Sequence, residues 1–479
     1  MEQTQLQVVP RNVDVQYAVP KLDLGNFNDH GNSLRFGQFA GHDARWCEDT
    51  KKHLLWDGRR WAVDRKVQIL QVATNCMVEF LKQAAAAGDK DARNFANSSL
   101  NRKDLRDMLE VAKPWMALSA DQQDTDPMKL NFQNGTLDLK TGVLGPHCRE
   151  DYITKLVHYD YLPEAECPRF MTFLERIMGG GPDASEAESE RADRMISFLQ
   201  KAFGHSLTGS VREKVVFIFH GALGDNGKST LLTTFRRVID EYAAIIQMDT
   251  LVGRDVSSNA SADLADLRGA RFAMTTETEK DQRLAEARLK RICQGVDGAK
   301  IKSCRKYENP IHFVETHKLW IDGNHLPAVQ GFDGAIWSRL CPIPFDVKIP
   351  SDEIDRELPE KLIREAEGIL AWAVAGALRW QQEGLGRTDE IREAHSNWRK
   401  DAAEPLKEFF DEYCTRKLDG FVLRSTLWDM YLRWCGRQKV APLSREKFAG
   451  RLEDIGFQQK MHRLGGEDPE RCWSGMALR

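Results

Sequence analysis

A lysine followed by a hydroxyl residue at the end of a glycine-rich turn can hold phosphate, and this chain has one in His220-Gly-Ala-Leu-Gly224-Asp225-Asn226-Gly227-Lys228-Ser229-Thr230. Successive backbone N–H groups and a helix N-terminus offer partial positive charge to an anion, and glycines let the backbone come close. In that arrangement Gly224, Asp225, Asn226 and Gly227 wrap the phosphates. Lys228 reaches the outer ones, Ser229 ligates Mg2+ and Thr230 follows on the helix. The strict pattern places a glycine five residues before Gly227, but Ala222 stands there, with glycines at 221 and 224. The turn is therefore expected to carry an extra residue. A surface turn rich in Gly, Asn and Asp is the alternative. Hydrolysis also needs an acid for the metal and the attacking water. The apolar run Arg271 to Thr276 ends in Glu277 and Glu279, and residues two apart on a strand share a face, so both carboxylates can address one metal. A third run, Lys318 to Ile321, carries Asn324 beyond its tip, placed either to orient water or to form an ordinary turn.

The elements that would position these groups are legible around them. Val215 to Phe219 reads as a buried strand and Ser229 to Ile239 as a helix. From about Glu213 short apolar runs alternate with helix-length segments, the pattern of a parallel α/β sheet. Upstream, helices are expected over about 66–87, 101–111, 168–178 and 185–203. Asn134-Gly135 and Thr141-Gly142 break alternating apolar runs in the manner of strand turns. Trp46, Trp56, Trp61 and Trp115 are expected as core anchors. After a helical stretch over about 351–400, residues from 405 predict three helices (about 406–416, 424–438 and 444–455) and a hairpin about Gly465-Gly466, the winged-helix order. The boundaries so drawn are an α+β N-terminal region (1–125), a mainly helical segment (126–205), an ATPase domain (206–350), a helical connection (351–404) and a winged-helix domain (405–479).

The 479 residues are 42% hydrophobic and 29% charged, ordinary for a globular protein of about three domains. No run approaches the ~18 to 20 apolar residues of a membrane span, and the N-terminus lacks a signal-type apolar core, which predicts a cytoplasmic protein with no membrane partner. The ten cysteines are dispersed, without zinc spacing, as expected for reduced thiols. A net charge of -4 leaves nucleic-acid contact to local patches.

Taken in order, these pieces resemble the superfamily 3 helicases, in particular the phage and plasmid primase-helicase branch that includes poxvirus-type replicative NTPases. The resemblance rests on Asn131 to Leu139 with Thr141-Gly142, Gly224 to Thr230, Asp266 to Arg271 leading into Glu277-Thr-Glu279, and Leu284 to Lys290. It continues through Gly295-Val-Asp297, Lys318 to Pro327, and Ala335 to Arg339 closing on Ile343-Pro-Phe345. Leu24-Gly-Asn26 and Trp56 to Trp61 are similar as well. It implies an AAA+-type P-loop ATPase core, a parallel sheet flanked by helices, assembled as a ring, usually a hexamer, with ATP and Mg2+ between subunits. It also implies Lys228, Glu277, Glu279, Asn324 and Arg339 as catalytic residues, Ser229 and Glu277 as metal ligands, and Arg339 as a finger reaching the neighbour's γ-phosphate. Asp322 departs from the family, which carries a small apolar residue there.

Between Arg288 and Lys306 lie seven Lys/Arg against the single acid Asp297. In the family this stretch lines the ring channel, which implies Lys300, Lys302, Arg305 and Lys306 as contacts to a phosphate backbone. From Arg416 to Arg463 there are eleven Lys/Arg against five Asp/Glu, with Arg445, Lys447 and Arg451 on the expected recognition helix. Winged helices also dock proteins, and that alternative stays open. Two functions are expected from this reading. One is a replicative helicase of a phage, plasmid or mobile element, acting on single-stranded and forked DNA in a bacterial cell or phage-infected host, with a separate primase or polymerase. The other is an origin-binding initiator whose ATP use drives assembly. A metabolic P-loop kinase would explain neither basic segment.

Overall fold

The computed structural model describes residues 20–221, 223–252, 263–275, 284–303, 310–329, 334–401, 404–438, 442–454, 456–462 and 469–479. Near its start, α1 (Asp29–Ala40), α2 (Gln68–Ala86), α3 (Lys90–Ser98) and α4 (Arg102–Ala112) pack around Phe36, Met77 and Phe80, beside a small antiparallel sheet, β1 (Ala44–Cys47), β2 (Lys52–Trp56) and β3 (Trp61–Val63). Arg35 is fully buried; its guanidinium lies 4.0 Å from the Phe80 ring centroid and donates to the carbonyls of Asp23 and Gly25, which ties down the Leu24-Gly-Asn26 turn. Trp61 is fully buried and Trp46 nearly so, but Trp115 is 63% exposed, against expectation. It lies on a short 3-10 turn after Pro114 that directs Met116 inward instead.

Next, β4 (Lys129–Phe132), β5 (Gly135–Asp138) and β6 (Val143–Gly145) form an antiparallel meander turning at the two expected breaks. Helix α5 (Pro168–Met178) begins on a proline, whose missing N–H has no partner to lose there, and ends on Gly179 at φ 86°. Helix α6 (Glu186–Leu207) opens with a reciprocal box between Ser185 and Glu188.

The central sheet is five parallel strands in the order β13 (Leu340–Pro344), β7 (Val216–His220), β12 (Lys318–Asp322), β9 (Phe272–Thr275), β8 (Ala243–Ile246). Both faces are covered, except along the edge strand β8, where Ile245 is 44% exposed. Phe217, Phe219, Phe272, Trp320 and Ile343 face one core, while Val216, Ile218, Ala273, Leu319 and Ile321 face the other, the period-2 alternation of a covered sheet. The first core extends from Met128 to Ile391, so it crosses the boundaries drawn at 205 and 350: α5, α6 and the helix Ala366–Glu383 cover the sheet they flank. Trp320 stacks on Phe203 of α6 with centroids 4.6 Å apart and planes at 4°.

Residues 404–479 have their own core around Phe409, Tyr431, Trp434 and Trp473. Their order is helix (Glu404–Tyr413), β14 (Cys414–Leu423), helix (Arg424–Gln438), helix (Arg445–Asp454), β15 (Gln458–His462) and β16 (Glu470–Leu478). The expected helix over 406–416 ends early because its last residues enter β14, which pairs with β16 and makes the sheet three-stranded.

Helix α6 and the helix Ala366–Glu383 touch through glycines. A Cβ on Gly204 would sit 2.1 Å from the Ala377 nitrogen, and one on Gly376 would sit 2.0 Å from the Gln200 carbonyl oxygen. Backbone cannot yield as a side chain does, so Gly204→Ala should lower stability by about 1–3 kcal/mol, read as a reduced denaturant midpoint. An unchanged midpoint would contradict this packing.

Candidate nucleotide-binding site

The parallel register of β7 with β12 brings the turn after one strand beside the tip of the other, since Asp322 pairs with Phe219. Helix α7 (Lys228–Ile239) starts at Lys228 as soon as the turn closes. Gly227 holds φ 80°, and a Cβ there would meet Ile177 at 2.6 Å and Phe173 at 3.1 Å, so both backbone and space require glycine. Gly224 and Asp225 also have positive φ, at 62° and 41°. Ala222 lies outside the described residues. Gly221 does not: a Cβ there would stand 2.3 Å from the Phe345 carbonyl oxygen, so the close approach usually made by the glycine at position 222 is made one residue earlier.

The lysine and serine are each met by one residue from the end of β12. Lys228 is 3% exposed, and its ammonium donates to Asn324 Oδ1 at 3.2 Å, to Asn226 Oδ1 at 2.8 Å and to the Gly221 carbonyl at 3.2 Å. The Ser229 hydroxyl donates to Asp322 Oδ2 at 2.5 Å. Asn226 braces the turn by donating to the Gly221 and Phe345 carbonyls, both at 3.4 Å. Glu277 and Glu279 lie outside the described residues; β9, the strand that leads to them, adjoins β12. Thr230 and Gly227 line a cavity of about 610 Å3 with Phe173, Arg169, Arg176 and Ile349. Asp322 and the cavity residues of α5 were not among the site residues expected from sequence. The polar tip of an otherwise apolar strand was the only available signal for the first, and nothing local marks the second.

Arg339 lies elsewhere. It immediately precedes β13, whose Leu340 pairs with Val216 and whose Pro344 pairs with His220, so it stands at the opposite end of the sheet from Lys228. At about 3.3 Å per residue, the intervening strand spans about 13 Å, so Arg339 does not reach its own glycine-rich turn. Trp337, packed on Trp398 at 5.2 Å, anchors this corner, and Arg339 is half-buried with Nε donating to the Cys293 carbonyl at 3.0 Å.

In the basic stretch, Lys300 and Lys302 point outward from β10 (Lys300–Ser303), while Ile301 and Ser303 point inward. The partner strand is β11 (Ile311–Val314), and Arg305 and Lys306 fall outside the described residues. Arg288 is buried and donates to the Thr250 carbonyl at 2.8 Å, so it holds a loop of its own chain. On the helix Arg445–Asp454, Arg445 and Lys447 are exposed and Arg451 is half-buried. Among the described residues no helix is long and apolar enough to cross a membrane.

Residues 33–179 match the family described as D5 N terminal like. A putative helicase of Acanthamoeba polyphaga mimivirus is 24% identical over 330 residues, covering 64% of this chain and 32% of that protein. A putative helicase of Invertebrate iridescent virus 6 is 24% identical over 248 residues, covering 50% of this chain and 24% of that one. These matches make the chain similar to D5-like viral helicases. It spans about a third of the mimivirus relative and a quarter of the iridescent virus one. Its fold is shared with the apo A form of the NrS-1 C terminal region, at TM-score 0.50 and 11% identity over 90% of this chain and 95% of that one.

Buried titratable groups surround the sheet. Burial pushes His220, at the end of β7, down to about 4, with Asp346 opposing and Lys228 adding to the shift. Burial likewise lowers His317 to about 4 and takes His205 well below 6.5, while it raises Glu315 to about 7. As pH falls below 6.5 the unfolded chain takes up three histidine protons that the folded chain refuses, so that stability is lost. Glu315 acts oppositely: its folded form keeps a proton that the unfolded form releases above 4.5, so its contribution is lost as pH rises through about 7. With three histidines against one carboxyl, the unfolded state binds more of these protons below pH 6.5, so stability falls with pH there. The denaturant midpoint should therefore fall between pH 6.5 and 5; a flat profile would show these histidines to be accessible.

Proposed function

We propose that this chain is the ATP-hydrolysing core of a ring-forming replicative DNA helicase that translocates on single-stranded DNA and unwinds forks. One observation carries the reading: Lys228 and Ser229, at the start of the helix that follows β7, are met respectively by Asn324 and Asp322 from the end of the adjacent strand. Phosphate set on the turn would replace some of the contacts of the Lys228 ammonium with charge-assisted bonds. The cavity beside Gly227 and Thr230 suits a nucleoside: Phe173 and Ile349 offer apolar walls, and Arg169 and Arg176 offer donors. The Ser229 hydroxyl, oriented by Asp322, offers a hard oxygen that fits Mg2+, an ion ordinarily held by a few protein oxygens together with substrate phosphates. When bound, Mg2+ would neutralise charge that develops on the transferring phosphoryl group.

Numbering the sheet strands in chain order gives 5-1-4-3-2, in support of an AAA+-type core. The remoteness of Arg339 from its own Lys228 supports action on a neighbouring subunit, and hence a ring, with six members in keeping with the family. Exposed Lys300 and Lys302 on the β10–β11 hairpin are placed to follow a phosphate backbone, with Arg305 and Lys306 continuing the same segment. A second reading, an origin-binding initiator, draws on the C-terminal module. Its helix–strand–helix–helix–strand–strand order supports a winged helix, with Arg445 and Lys447 exposed on the third helix.

Fork unwinding and particle mass test both. Lys228→Ala should lose nucleotide binding and ATPase activity, with kcat/KM down about 100-fold or more. Arg339→Ala should keep ADP binding and lose about a thousandfold in kcat, with activity partly restored in mixed assemblies that retain wild-type neighbours. A monomer whose ATPase survives both substitutions would sink the ring motor. Sequence-specific duplex binding without strand displacement would favour the initiator.

A further inference from the structure

Asp322 has no counterpart among the acidic residues that the family resemblance implies, and its position is unusual for a carboxylate. It is 3% exposed at the tip of β12, the middle strand of the sheet, with β7 and the phosphate turn on one side and β9, leading toward Glu277 and Glu279, on the other. A buried charge is costly unless it is compensated, and among the described residues Lys228 and the N-terminus of α7 stand near it. Its 2.5 Å contact with Ser229 has a direction. A serine hydroxyl has one proton and two lone pairs, so giving the proton to Asp322 leaves both lone pairs for a metal. A serine whose proton is unassigned has no such preference.

Building on the nucleotide-site reading above, we propose that Asp322 is a positioning carboxylate for the phosphate-bound divalent cation. It accepts a hydrogen bond from the Ser229 hydroxyl, which would leave the Ser229 Oγ lone pairs to the cation. The two residues at the end of β12 then divide the work: Asn324 addresses the lysine that holds phosphate, and Asp322 addresses the serine that holds metal. This assignment also has a cost built in, because with no cation present the carboxylate repels the phosphates.

The test is ADP affinity by calorimetry in EDTA and in Mg2+, with Mn2+ affinity of the ADP-loaded protein measured by electron paramagnetic resonance. The proteins are wild type, Asp322→Asn, Asp322→Ser, Ser229→Ala and the Ser229→Ala/Asp322→Asn pair, each checked for folding by unliganded thermal unfolding. Groups that orient a metal ligand are typically worth 10–100-fold in metal affinity, so Mn2+ binding should weaken about tenfold or more in either Asp322 variant. ADP affinity in EDTA should stay the same or rise, which a merely structural role would not produce. With Ser229 already removed, the second substitution should add less than the first did alone, because the two act as a unit. Asp322→Ser carries the test should the amide variant not fold. ADP binding with unchanged Mn2+ affinity in a folded Asp322 variant overturns this assignment, as does an equal loss of ADP affinity with and without metal. A wild type that binds no ADP in either condition overturns the nucleotide-site reading itself.

Discussion

The parallel, level pairing of β7 with β12 is the constraint on which the site depends. Because the two strands run the same way and Asp322 stands opposite Phe219, the polar end of one arrives at the height where the other enters the glycine-rich turn. Side chains alternate along a strand, so a slip of one residue would send Asp322 to the opposite face and bring Ile321 to the turn. The register is held from both sides: Trp320 enters one core and Leu319 and Ile321 enter the other, and a shift would exchange all three.

The same packing joins stability to the site. Helix α6 approaches the helix Ala366–Glu383 at Gly204 and Gly376, which seats Phe203 against Trp320. Phe173 and Ile177 of α5 belong to this core and also press on Gly227, so the helix that closes the core shapes the phosphate turn. The segment ahead of the sheet is therefore part of the site's wall. Its attachment is polar as well as apolar: Arg271, just before β9, donates to the carbonyls of Pro127 at 2.9 Å and Asp126 at 3.1 Å.

Positive charge divides into two populations with different roles. Arg271, Arg288 and Lys318 are buried and donate to backbone carbonyls, where a cation satisfies several acceptors that would otherwise be costly to bury. Lys300, Lys302, Arg445 and Lys447 are exposed and remain available to an external anion. A count of basic residues along the chain merges these populations, as the inclusion of Arg288 in the basic stretch illustrates.

Local chemistry made much of the chain legible in sequence. Short apolar runs marked β7, β9 and β12; Pro168 and Gly179 bounded α5; Asn134-Gly135 marked a turn; and Gly227-Lys228-Ser229 marked a strand-turn-helix junction, because each signal depends on neighbours within a few residues. Strands β1 to β3, β8, β10, β11, β13 and β14 were missed: they are short, polar or proline-bearing, and β8, β13 and β14 owe their form to pairing partners far along the chain. Trp115 was misplaced for a related reason: whether a large apolar residue is buried depends on what the fold brings over it. The contribution of Gly221 and the grip of Asp322 on Ser229 were beyond local reading. Phe345 is 124 residues from Gly221, and Asp322 is 93 from Ser229, so only the strand order could bring them together. Sequence determined which polar groups this chain places around the glycine-rich turn, through local backbone preference and side-chain chemistry. The tertiary structure alone decided which of them meet, because contact across a sheet is set by strand order and register.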